Sequence, residues 1–379
     1  MLKKNLSFLI LTSLFALAIF VVTQKKPFRK LNLPSIHKKE VKTAKAINKD
    51  TSFKNLPVVK IITTGGTIAE KIDPKTGGAV PAVSGQDLID AVPGLSKLAY
   101  VKVVNFSNID SSQMTPEIWA RLSKKVDEIL SDPEVKGAVV THGTDTMSEG
   151  SYFLELTLKN DKPVVFVGAM RDASDLSPDG PANILNAVTQ VLSPNAQNWG
   201  VTVSLNQYIN AARDVRKTQT SNVQTFDSGE KGYLGYINMG QVVRFNDRRK
   251  KQKFPIPNKL PDVVILSDYA GSDGRFIRHA VDSGIDGIVV EAVGAGNVNE
   301  KMYQAIKYAL GKNIPVVITT RVYHGKVLPV YGDLGGGKIL QDEGAILGND
   351  LVTAKARLLL MLAIPQAGGD KEKLKSFFE

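Results

Sequence analysis

Two hydroxyl-rich turns carry most of the chemistry this sequence can offer: Thr64-Gly65-Gly66-Thr67-Ile68-Ala69 and Thr141-His142-Gly143-Thr144-Asp145-Thr146. A threonine hydroxyl attacks a carbonyl carbon only when a neighbouring base or charge activates it. Backbone N–H groups in such turns suit the oxyanion that this attack creates. Thr67, after two glycines, and Thr144, beside the Asp145 carboxylate, are the candidate hydroxyls. Asp145 carries the charge to hold a substrate ammonium group, although it could equally cap a following helix. His142 reads as a packed side chain supporting its turn. A third stretch, Ala211–Thr218, supplies Lys217, which near a threonine could lower the hydroxyl's pKa or take its proton. Taken singly, Thr67 reads as part of an ordinary β-turn and Lys217 as a solvated surface lysine.

Both turns close apolar, β-branched runs. Val58–Thr63, Val139–Thr141, Val164–Val167 and Val201–Leu205 are continuous rather than alternating, which predicts strands buried on both faces. Thr115 as N-cap and Pro116 at the first helical position predict a helix through Leu130, and Pro181 opens another through about Leu192. The charged, proline-interrupted run Asp247–Pro257 reads as a linker. Beyond it the pattern restarts, with strands at Val263–Ser267, Ile288–Val290 and Val316–Thr319 and helices at Lys301–Leu310 and Ala354–Leu362. The expected fold class is α/β with two α/β domains. A larger N-terminal parallel-type sheet flanked by helices spans 57–246, and a smaller C-terminal α/β domain spans 261–379, joined by a linker at 247–260. Open sheets of this class bind ligands at the carboxyl ends of their strands, where both turns lie.

Composition narrows the function classes. At 379 residues, 43% hydrophobic and 22% charged, the chain is globular and long enough for two cores. Its formal net charge of +11 is misleading: twelve lysines and arginines against two acids up to Lys54 hold nearly all of it. The remainder is almost neutral, so no nucleic-acid partner is implied. Lys3 and Lys4 precede an uncharged, apolar stretch, so 1–24 reads as an export signal peptide or an uncleaved membrane anchor, followed by a Lys-rich tether at 25–56. With no cysteine, disulfides and thiolate metal sites are excluded. The four histidines are scattered without ligand spacing, no P-loop is present, and Gly335-Gly336-Gly337-Lys338 reads as a loop.

Taken together, these residues resemble the bacterial L-asparaginase family, whose two hallmark motifs are T-G-G-T-I-A and H-G-T-D-T. The similarity continues through Lys162–Arg171, Asp179-Gly180-Pro181, Asp214–Thr218 and Lys355-Ala356-Arg357, covering about Pro57 to the C-terminal helix. The Gly-Ala-Met-Arg stretch and the export signal lean toward the secreted, type II branch. The resemblance implies a hydrolase that cleaves the side-chain amide of asparagine to aspartate and ammonia without a cofactor or metal. Thr67 would be the first nucleophile, with Thr144, Asp145 and Lys217 as the second catalytic group. The Thr144 N–H would hold the oxyanion and the Ala169 carbonyl the leaving amide. Asp145 would hold the α-ammonium, and Ser111 and Ser112 the α-carboxylate. A periplasmic or secreted homotetramer, with the active site at a subunit contact, is implied as well.

Departures from the family pattern are equally specific. The type II lid carries a tyrosine against the nucleophile, whereas Glu70–Val80 contains none and Gly78 falls at its place. The Asp110-Ser111-Ser112-Gln113-Met114-Thr115-Pro116 order is closer to the cytoplasmic branch. The intersubunit glutamate has no clear counterpart, and Tyr331 or Asp333 could approach instead. Two other readings therefore stay open: a catalytically weak amino-acid-binding protein with the same pocket, and an amidase on a larger asparaginyl or glutaminyl substrate.

Overall fold

The computed structural model describes residues 56–379 apart from residue 82. The expected signal or anchor segment and the tether up to Asn55 lie outside the described residues. Among the described residues no helix is long and apolar enough to cross a membrane.

The N-terminal strands are, in chain order, β1 (Val58–Thr63), β2 (Glu70–Ile72), β3 (Ala79–Pro81), β4 (Tyr100–Asn105), β5 (Val135–Thr141) and β6 (Val164–Val167). They continue with β7 (Val201–Leu205), β8 (Tyr208–Ala211), β9 (Arg216–Lys217), β10 (Phe226–Asp227), β11 (Gly235–Asn238) and β12 (Gln241–Arg244). Five of them form a parallel block in the order β7-β6-β5-β1-β4. Strands β8, β11 and β12 extend it by antiparallel pairing to eight strands, so the sheet is mixed rather than purely parallel. The C-terminal sheet, β13 (Val263–Ser267), β14 (Gly287–Ala292), β15 (Val316–Thr320) and β16 (Ile346–Leu347), is parallel throughout in sequence order.

Side chains alternate across a strand, and β1 shows how the layers follow. Val59 and Ile61 join Val139, Val165, Ile184 and Val188 on one face, beneath the helix Gly180–Leu192. Ile62 joins Val140, Phe166, Trp119 and Leu122 on the other, beneath the helix Pro116–Leu130. That second helix starts where expected: the Thr115 side chain accepts from the Ile118 N–H at 3.4 Å, with Pro116 at the first position. A continuous apolar strand is thus one covered from both sides.

The helix Thr353–Ala367 is buried nearly all round, because it packs on the helix Met147–Thr157 and on β13, β14 and β15. A single apolar core therefore runs beneath both sheets. The charged run before β13 is largely exposed but tied to the body of the chain. Arg248 pairs with Glu155 at 3.0 Å, Arg249 with Asp350 at 2.9 Å, and Phe254 is buried edge-on against Phe377. The Gly335–Lys338 loop passes at Gly337 into a short helix, Gly337–Asp342.

Candidate active site

Four neighbouring parallel strands deliver the candidate residues to one edge of the sheet. Thr63 at the end of β1 is in register with Thr141 of β5 and Asn105 of β4, and Thr141 with Val167 of β6. The loop after β1 carries Thr67, that after β5 carries Thr144 and Asp145, that after β4 carries Ser111, and that after β6 carries Ala169. The first two loops are tied at their origin, where the Thr64 N–H and hydroxyl both donate to the Thr141 carbonyl, at 3.2 and 2.8 Å.

Two glycines let these loops touch. Gly66 lies at φ 85°, and a Cβ there would stand 2.3 Å from the Gly143 Cα. A Cβ on Gly143 would in turn meet the Ser111 Oγ at 2.6 Å. Any side chain at either position would push the Thr67, Thr144 and Ser111 loops apart.

Lys217 closes the cluster. Its Nζ donates to Thr144 Oγ1 at 3.0 Å and to Asp145 Oδ1 at 2.6 Å. The Asp145 carboxylate is therefore engaged by the lysine, and Thr146 rather than Asp145 precedes the helix Met147–Thr157. Thr144 is buried, whereas Asp145 is largely exposed and Thr67 half-buried, so the cluster opens to solvent. Ser111 is buried, accepts from the Asp145 N–H at 3.3 Å through its hydroxyl, and accepts the Thr146 hydroxyl at its carbonyl at 2.7 Å. Ser112 is exposed, its hydroxyl accepting from the Gln113 amide, and is not drawn into these contacts. Ala169 is buried. The Asp179 carboxylate holds the backbone just beyond it, accepting from the Met170 and Arg171 N–H groups at 3.1 and 2.9 Å.

His142 supports rather than reacts. The Trp119 indole can only donate, so the Nε2 it reaches at 3.3 Å accepts, and Nδ1–H donates to the Gly143 carbonyl at 2.7 Å. Complete burial pushes its pKa down to about 4, keeping the ring neutral.

The loop that carries Lys217 is fixed from the C-terminal half of the chain. Arg213 bridges Asp214 and Asp350 at 2.8 and 2.6 Å. The fully buried Lys355 donates to the carbonyls of Ala212, Arg213 and Val215 at 2.7, 3.0 and 2.5 Å, using all three donors of an ammonium. Burial nevertheless pulls its pKa from 10.5 down to about 7. Between those values the unfolded chain keeps a proton that the folded chain sheds, so this lysine makes stability rise with pH by about 1.4 kcal/mol per unit. Below about 7 both states are protonated and this dependence vanishes. In urea titrations the stability difference between wild type and Lys355→Met should therefore climb from pH 7 to 10. A flat difference would exclude this assignment.

One residue at the site was not foreseen. Glu70, directly after the first motif, is buried, and its backbone N–H donates to the Thr67 carbonyl, closing the turn that carries Thr67. Desolvation raises its pKa above the ordinary 4.5, opposed by Thr67 and reinforced by Asp110, Asp172 and Asp145. The only signal in the sequence was an acid three residues beyond a candidate nucleophile.

Residues 58–251 match the family model described as Asparaginase, N-terminal, and residues 262–378 match the Glutaminase/Asparaginase C-terminal domain. L-asparaginase 2 of Bacillus subtilis is 36% identical over 352 residues, covering 90% of this chain and 91% of that protein. The probable periplasmic L-asparaginase of Haemophilus influenzae is 36% identical over 333 residues, covering 86% and 93%. A crystal structure of a probable cytoplasmic L-asparaginase from Campylobacter jejuni superposes with a TM-score of 0.77 at 39% identity, covering 85% of this chain and 98% of that one.

Proposed function

The chain belongs to the L-asparaginase family of amidohydrolases, nearer its type II members, and from that premise we propose that it hydrolyses the side-chain amide of asparagine through a threonine acyl-enzyme. The observation that carries this reading is the Lys217 Nζ bridging Thr144 Oγ1 and Asp145 Oδ1, one strand away from the Thr67 loop.

In this mechanism the Thr67 hydroxyl attacks the amide carbon, and the Thr144 N–H stabilises the oxyanion while the Ala169 carbonyl accepts from the leaving amide. The Thr67 proton goes to the departing nitrogen, so ammonia leaves, and water then cleaves the ester, giving aspartate and returning a proton to Thr67 Oγ1. Lys217 donates to the Thr144 oxygen and stabilises negative charge as it develops there, which makes the Thr144 proton easier to draw away. Asp145 binds the substrate α-ammonium, with Ser111 and Ser112 at the α-carboxylate. No step calls for a cofactor. Export fits both the basic, apolar start of the sequence and the periplasmic relative, and a homotetramer follows the family pattern.

Full-length protein given L-asparagine should release ammonia and aspartate in equal amounts. L-Glutamine, D-asparagine and end-blocked asparagine belong in the same assay, since one methylene shifts discrimination by only about 1–3 kcal/mol. Aspartate binding without ammonia from any of them would make the protein a binder. Ammonia from end-blocked asparagine alone would make it an amidase of larger substrates.

A further inference from the structure

The carbonyl assigned to the leaving amide belongs to a peptide group whose N–H a carboxylate already holds. Ala169 lies just beyond β6, beside both threonine loops. A Cβ on Gly168 would stand 3.2 Å from Thr144 Cγ2, and one on Gly180 would meet Ile68 Cγ1 at 3.0 Å and Ala169 Cβ at 3.6 Å. Asp179 stands at the N-cap of the helix Gly180–Leu192, where an aspartate ordinarily accepts from its own helix. Here its side chain makes no such bond, and Pro181 has no N–H to offer it. The carboxylate is turned to the β6 loop instead. It takes the Met170 N–H on both oxygens, at 3.1 and 3.2 Å, and the Arg171 N–H at 2.9 Å. Asn183, one turn further along the helix and buried, holds the other side of Ala169. Its Nδ2 donates to the Gly168 carbonyl and to Asp179 Oδ2, both at 3.0 Å, and its Oδ1 accepts from the Asn206 N–H at 3.0 Å. Both peptide groups that flank the Ala169 Cα are therefore fixed from the first turn of one helix.

We propose that Asp179 and Asn183 are positioning residues for departure of the amide nitrogen. The inference rests on the amidohydrolase reading above, in which the Ala169 carbonyl accepts from the leaving amide. The C=O and N–H of a planar trans peptide point in opposite directions, so a carboxylate on the Met170 N–H fixes where the Ala169 oxygen points. The same charge-assisted bond polarises that peptide group and makes its oxygen a stronger acceptor. As the C–N bond breaks, the nitrogen takes up the Thr67 proton and gains positive character. Its N–H groups then bond to the Ala169 oxygen more strongly than those of the bound substrate do. The contact thus favours the transition state over the ground state. Both residues act through this one carbonyl.

The test compares two substrates that differ in the leaving atom. L-Asparagine leaves through a nitrogen that carries hydrogens, whereas the oxygen leaving from L-aspartate β-methyl ester carries none for Ala169 to accept. In full-length Asp179→Asn the negative charge is gone, and an amide nitrogen replaces one of the oxygens that face the Met170 N–H and Asn183 Nδ2. The expected result is kcat/KM for L-asparagine lower by about 10- to 30-fold, with kcat/KM for the ester and the affinity for aspartate within about twofold of wild type. Asn183→Ala covers the case of an Asp179→Asn variant that does not fold, and should show the same split with a loss of about tenfold on asparagine. Equal losses on the two substrates, or wild-type kcat/KM for asparagine, in either folded variant overturn the positioning role while leaving the amidohydrolase intact. A wild-type protein that releases no ammonia from asparagine overturns both.

Discussion

Thr67→Ala and Thr144→Val should each lower kcat for asparagine by about 10⁴-fold while aspartate binding and the thermal midpoint stay close to wild type. Thr67→Ala removes the oxygen that forms the ester, and Thr144→Val keeps the shape of a buried side chain while removing the hydroxyl that Lys217 holds. Neither change opens a cavity larger than a few atoms, so stability is a poor explanation for the loss. Residues that act as one unit are not additive, so the double variant should fall no further than the worse single one. Turnover above about a tenth of wild type in the Thr67 variant would break the nucleophile assignment. A double variant that multiplies the two losses would mean that the threonines serve independent steps.

The sequence was readable where local and tertiary demands agree. Val58–Thr63, Val164–Val167 and Val201–Leu205 are strands at the residues where β-branched runs placed them, because both faces of each lie under helices. Strand β4 lacks the continuous apolar run of its neighbours because it is a half-buried edge strand paired only with β1, and its alternation over Tyr100–Val103 is too short to stand out. Strands β8, β11 and β12 are short and follow tight turns, so no periodicity announces them. The site divides in the same way. The strand-end turns named Thr67 and Thr144, but contacts across more than 70 residues, such as Lys217 to Thr144, are set by the tertiary fold, which brings the separate β9–β10 pair against the strand-end loops. The run Asp247–Pro257 reads as a linker from its charge and prolines, and its ion pairs to Glu155 and Asp350 were not legible because those partners are remote in sequence.

Lys217→Met should cost about 10³-fold in kcat with little change in folding stability, and the contrast between these two outcomes is what identifies its role. The Lys217–Asp145 pair has its carboxylate 60% exposed, so screening leaves it a minor contributor to stability. Its 2.6 and 3.0 Å contacts instead point one charge at the Thr144 oxygen, where charge develops only during reaction. Methionine matches the length of the stem but carries no donor, so Thr144 keeps its place and loses its activation. Lys217→Arg is not a conservative replacement here, because a planar fork cannot put a single donor on Thr144 and Asp145 with the same geometry. It should recover less than about a tenth of the activity. A small primary amine diffusing into Lys217→Ala should restore part of kcat in proportion to its concentration, since the site opens to solvent beside Asp145. A Met variant with wild-type kcat, or an equal loss of kcat and of thermal midpoint, would reduce Lys217 to a structural strut. In that event Thr144 would have no activating group among the contacts described, and the second half of the site would need another assignment.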